Sequence, residues 1–105
     1  DVDERKQIAR RLLGATEEML RAARGADWTT MAQLEAERQR LAHTLFATPI
    51  PADAVVTVEY CVSRVLELDP ELHALAEASR HSTAQAAQEV RTGRQAMDEY
   101  HRFSR

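Results

Sequence analysis

Glycine and proline are scarce, with three of each among 105 residues, and one Trp, two Tyr and two Phe are the only aromatics. Turns draw on the positive φ of glycine and the fixed φ of proline, so a turn-rich β architecture lacks its material here. Long apolar runs are missing as well: no stretch approaches about 18 residues and no signal-peptide core is present, which argues against membrane insertion and points to the cytoplasm. A single cysteine, Cys61, excludes an internal disulfide. It stands among Val58, Val62 and Val65, with only Arg64 as a positive neighbour, so a buried and inert thiol is expected. Charge of one sign is not in excess either. The 14 basic and 17 acidic side chains are interleaved and sum to −3, so no basic patch for a phosphate backbone is expected and no direct nucleic-acid binding.

What the chain has is alanine and periodicity. Hydrophobic residues reach 44% while aromatics supply 5%, so much of the apolar content is alanine, the best helix former. The expected fold is all-α, an antiparallel bundle of three to four helices in one small domain over residues 1–105, with a core thin for its surface. Ile8, Leu12, Ala15, Met19 and Ala22 recur at spacings of four and three, widened by Ala9, Leu13, Leu20 and Ala23, which predicts a first helix over about 3–24. Gly25-Ala26-Asp27-Trp28 follows. Gly25 is the expected left-handed terminator, Asp27 the cap of the next helix, and Trp28 the aromatic that closes the hairpin's end. Trp28, Met31, Leu34, Leu41 and Leu45, with Phe46 beside them, predict a second helix over 28–46. Thr48-Pro49-Ile50-Pro51 ends it as a stiff connector, because each proline drives its predecessor toward extended geometry.

A third pattern starts near Asp53 with the seam Val58, Cys61, Val65, Leu68, Leu72 and Leu75, which passes through Pro70 without losing phase. This predicts one long helix over 53–91, kinked at Pro70 where a backbone hydrogen bond is lost. Val56, Tyr60 and Leu66 widen the apolar surface beyond the seam; the C-terminal part of the chain, a second copy or another protein would each cover it. After Ala76 the seam weakens to Ser79, Thr83, Ala86 and Val90, then returns as Met97, Tyr100 and Phe103. A weakly held helical segment over 93–103 is expected, with a break at Thr92-Gly93, because small side chains bury little apolar area and glycine costs a helix up to about 1 kcal/mol. Asp1 at one end and the polar Ser104-Arg105 at the other suggest trimmed termini.

No catalytic constellation forms. His43, His73, His81 and His101 make neither an H-E-x-x-H motif nor a Glu-x-x-His pair, so no metal and no cofactor is expected. The serines lack a glycine elbow, Cys61 sits in an apolar seam and no glycine-rich phosphate loop exists, so the chain reads as a non-enzyme. Arg38 is the exception to pattern. It falls between Leu34 and Leu41, where an aliphatic side chain belongs; either it is buried against Glu35 or Glu67, or its stem packs while its head reaches water. A role in partner recognition is the functional expectation for it.

Gly25-Ala26-Asp27-Trp28, Leu34-Glu35-Ala36-Glu37-Arg38, Val65-Leu66-Glu67-Leu68-Asp69 continuing into Leu72 and Leu75, and Gly93-Arg94-Gln95-Ala96-Met97-Asp98-Glu99-Tyr100 together, in this order, resemble the FliT family of flagellar export chaperones. The resemblance spans nearly the whole chain. It implies a cytoplasmic helical chaperone that binds the flagellar filament-cap protein before type III export and delivers it to the export apparatus. In some members it also implies binding to the flagellar master transcription regulator. The family's C-terminal helix implies a masking role for the segment carrying Met97, Tyr100 and Phe103. Val56, Tyr60 and Leu66, with apolar positions of the second helix, would then form the groove for an amphipathic client helix, with Arg38 as a further partner-binding residue. Two rivals come from other classes: a structural module that forms a homodimer through helix three, and an antagonist whose main partner is the transcription regulator.

Overall fold

The computed structural model describes residues 1–103; Ser104 and Arg105, and with them the expectation of a trimmed C-terminus, lie outside the described residues. Among the described residues three α-helices follow in order: α1 (Val2–Arg24), α2 (Trp28–Phe46) and α3 (Val55–Phe103), with a 3₁₀ turn at Ala52–Ala54 before α3. No strand occurs among the described residues. The chain divides into a compact unit over Asp1–Leu75 and a second over Ala76–Arg105.

In the first unit, α1 begins on Asp1, whose carboxylate accepts from the Asp3 amide at 2.8 Å. The α1–α2 corner is built differently from the expectation. Gly25 has φ −88° and is not left-handed; Ala26, at φ 57°, is the residue that turns. The Asp27 amide donates to Ala22 O at 2.8 Å and the Ala26 amide to Ala23 O at 3.1 Å, the paired bonds of a Schellman ending with alanine in the position usually held by glycine. Alanine there costs roughly 1 kcal/mol, which the corner's bonds must offset. Asp27 caps α2 as its type predicts, accepting from the Thr30 amide at 3.2 Å. Those contacts hold the Asp27 carboxyl below the usual carboxylate range, chiefly through Thr30's side chain and then its amide.

Two apolar clusters fill the unit. Ala9, Leu12, Ala15, Leu41, Leu45, Ala54, Val58, Cys61 and Val65 form the larger, toward the connector. Met19, Leu20, Ala23 and Leu72 form the smaller, against which Trp28, Met31, Leu34, Leu68 and Leu75 pack. Trp28 therefore closes the corner end of the hairpin. Thr16 lies fully buried in the α1 stripe, where sequence periodicity offered no reason for a polar residue. Its hydroxyl donates to Leu12 O at 3.0 Å, which satisfies the group and lets it pass as apolar.

The long helix α3 runs as one α-helix through Pro70, although a proline in a helix interior costs about 3 kcal/mol. The turns around it are held from both sides. Leu68 and Leu72 pack into the smaller cluster, Asp69 accepts from Arg38 at 2.6 Å, and Glu71 takes a two-pronged contact from Arg24 at 2.7 and 2.8 Å. The expected break at Thr92-Gly93 does not occur, and the helix continues to Phe103. A glycine weakens helical propensity without removing an amide donor, and the flanking Arg91, Gln95, Ala96 and Met97 are good helix formers. In the second unit every residue from His81 to Phe103 is exposed.

Candidate client-docking surfaces

Helix α3 borders two hollows in the first unit. The first, about 300 Å³, is lined by Phe46, Ile50, Val55, Val58, Glu59, Val62 and Ser63. The second, about 420 Å³, is lined by Arg10 and Leu13 of α1 and by Val56, Thr57, Tyr60 and Cys61 of α3. The predicted trio on α3 is thus divided. Val56 and Tyr60 belong to the hollow beside α1. Leu66 continues the row Val55, Glu59 and Val62 at spacings of four and three, roughly 120° around the helix from Tyr60. All three are well exposed, at 79% for Val56, 62% for Tyr60 and 64% for Leu66, so each leaves apolar surface in water.

α2 contributes Phe46 to the first hollow, one of the apolar second-helix positions the groove was expected to use, and the connector adds Ile50, which the periodic reading left outside its site. Phe46 is 57% exposed at the end of α2, where an apolar ring has no packing reason to be left in water. The connector that carries Ile50 is tied down by Arg5. One guanidinium nitrogen of this α1 residue donates to Leu45 O at 3.2 Å, Thr48 O at 3.1 Å and Pro49 O at 3.2 Å. The carbonyls ending α2 lack intrahelical donors and Pro49 and Pro51 offer no N–H, so an arginine from the neighbouring helix supplies them. The signal was present in the sequence only as an ordinary charged residue on an α1 flank.

Arg38 lies in neither hollow. Its side chain is 19% exposed and bridges Glu35 at 3.0 Å and Asp69 at 2.6 Å. Of the two carboxylates named from sequence, Glu35 is a partner and Glu67 is not; Glu67 pairs with Arg64, and Asp69, two residues on, takes its place. The helical advance of about 200° over two residues explains the exchange, since it turns Asp69 toward α2 and Glu67 toward solvent. Cys61 floors the second hollow and is buried; burial pushes its thiol up, against a weaker downward pull from Arg10, so it is a poor nucleophile. Among the described residues no three His, Cys, Asp or Glu side chains gather to hold a metal, and no helix is long and apolar enough to cross a membrane.

A family model described as flagellar protein FliT matches residues 6–102. The chain belongs to the FliT family. FliT is a family of flagellar export chaperones, so the protein is a flagellar protein of chaperone type. No curated protein and no solved structure matched. The FliT match takes in both hollows, the Arg38 bridge and the α3 segment with Met97 and Tyr100, while Phe103 falls one residue beyond it. These last three side chains are exposed, at 55%, 66% and 79%, and the Tyr100 ring meets His101 edge-on with centroids 5.8 Å apart.

Proposed function

We propose that this FliT-family protein is a cytoplasmic type III export chaperone that binds the flagellar filament-cap protein before secretion and passes it to the export apparatus. Family membership over nearly the whole chain carries this reading. The hollow between Phe46, Ile50, Val55 and Val62, prolonged by Leu66, is the surface suited to the client. It is apolar, and it lies along a helix on which an amphipathic partner helix can seat side chains one turn apart. Arg5 acts in support, holding the connector so that Phe46 and Ile50 keep their spacing before the client arrives. No catalytic step is assigned.

The apolar tail residues Met97, Tyr100 and Phe103 are the proposed competitor for the client's place. Titration calorimetry of the full chain against the cap protein's C-terminal segment tests both parts. Binding that falls about tenfold in Phe46→Ala supports the groove, and absence of binding by the unaltered chain overturns the chaperone reading. Truncation after Gly93 is expected to raise affinity; equal or weaker binding removes the tail's role as competitor. The master transcription regulator, where present, is expected to displace the cap-protein segment from the same surface.

A further inference from the structure

The two hollows beside α3 differ in the sign of the charge on their edges. Glu59 is the single charged side chain of the Phe46 hollow, and it has no ion-pair partner among the described residues. The other hollow has Arg10 on its edge. Arg10 and Lys6, one helical turn earlier on the same row of α1, likewise take part in no ion pair among the described residues. Arg64, one turn beyond Tyr60, is already paired with Glu67. Val56 and Tyr60 rise from the hollow with most of their surface in water, and Leu13 and Cys61 line its inner part. An apolar recess with an unpaired arginine on its edge, and an unpaired lysine one turn farther along the same helix, is complementary to one kind of segment.

We propose that the Arg10–Val56–Tyr60 hollow is a second docking site, separate from the client groove, for an amphipathic helix that sets a carboxylate beside its buried apolar side chain. An aliphatic side chain of the partner enters between Val56 and Tyr60 against Leu13, and its neighbouring Asp or Glu meets Arg10, with Lys6 extending the attraction by one turn. The Phe46 hollow, with Glu59 alone, selects against the same segment. A chaperone so built holds two partners of opposite flank charge at once, on two faces of one helix. This inference stands whether or not the filament-cap protein is the client, because it concerns the other hollow.

The test uses the full chain and two synthetic helical peptides with one leucine face, flanked by glutamates in one and by lysines in the other, followed by amide NMR. The glutamate peptide is expected to shift Leu13, Val56, Thr57 and Tyr60 and to leave Ile50 and Val62 unmoved. Arg10→Glu, at an exposed position, should weaken it about three- to tenfold at low salt and turn the preference of this hollow toward the lysine peptide, with the difference shrinking as salt rises. Tyr60→Ala should weaken the glutamate peptide, and Phe46→Ala should not. The proposal is overturned by shifts that centre on Ile50 and Val62, by an Arg10→Glu variant that keeps the original preference, or by no binding of either peptide here. Self-association of the chain through Val56 and Tyr60, seen by sedimentation, overturns it too.

Discussion

Residues 55–75 and 76–103 belong to one helix and share its local geometry, yet they differ in what their apolar stripes do. The first half sets Val58, Cys61, Val65 and Leu72 into the core, all buried. The second carries Ser79, Thr83, Ala86 and Val90 in the same phase, and its large apolar residues, Val90, Met97, Tyr100 and Phe103, are all more than half exposed. Helical propensity is therefore enough to specify the element, while branched and long side chains specify its burial. A helix whose seam is made of alanine and serine has little to gain by docking, at about 25 cal/mol for each Å² removed from water.

Leu72→Ala tests the difference most severely. It should cost about 2–3 kcal/mol in urea denaturation, since it empties a site shared by Met19, Leu20 and Ala23, whereas Val90→Ala should change the midpoint by less than about 0.5 kcal/mol. Equal losses at the two positions would mean that Val90 is buried in solution. Arg38→Leu comes next, at about 1–2 kcal/mol, because it leaves Glu35 and Asp69 facing each other across a half-buried site. The loss should appear in hydrogen exchange as faster amides around Pro70, with the chain still folded. Unchanged partner affinity in this variant would remove any direct recognition role for Arg38.

Gly93→Ala probes the exposed half. A Cβ at this position meets nothing within 4 Å, so the substitution should strengthen the local helix by up to about 1 kcal/mol. Slower exchange for amides near residue 93, with no change in the unfolding midpoint of residues 1–75, would sharpen the contrast between the halves. In the hairpin corner, Ala26→Gly should add about 0.5–1 kcal/mol to the midpoint by relieving the φ of 57°; a loss would show that the strain is smaller than the entropy glycine brings to the unfolded chain.

The smallest effect is electrostatic. The Arg24 guanidinium, through its hydrogen bonds and then its charge, holds the Glu71 carboxyl below the usual carboxylate range. Such a group stabilises the fold at pH above its unfolded pKa, and the contribution is lost as pH falls through the lower, folded-state value. Glu71→Gln should therefore lower the melting temperature slightly at neutral pH and converge with the unaltered protein in acid. Both partners are exposed, so the gap should be modest and should narrow in high salt.

Much of this fold was legible because helices declare themselves locally. The limits of α1 and α2, the Asp27 cap, the closing Trp28 and the passage of the helix through Pro70 all follow from spacing and residue type. The corner was legible only in part: a glycine one residue before the turn is a natural terminator, but the chain placed the strained φ on Ala26, where the two Schellman bonds close. The site was less legible than the fold. Val56, Tyr60 and Leu66 were visible as apolar surplus, but only packing separated them into two hollows, by turning one flank of α3 toward α1 and the other toward Phe46 and Ile50. Arg5 carried no pattern at all, since its three acceptors come from residues forty or more positions away.

By itself the sequence determined the all-helical class, the hairpin, the third helix as far as about residue 91 and the family, since each depends on propensity, capping and order along the chain; it did not foresee that the helix runs on through Gly93 to Phe103. Tertiary structure alone decided that Asp69 and not Glu67 answers Arg38, that Thr16 is buried without cost, and that two flanks of α3 line separate recesses, one with a carboxylate on its edge and one with a guanidinium. The physical reason is common to all three. A hydrogen bond or an apolar contact is set by the angle at which a side chain leaves its helix and by what the neighbouring helix presents there, and that pairing is fixed only when the helices pack.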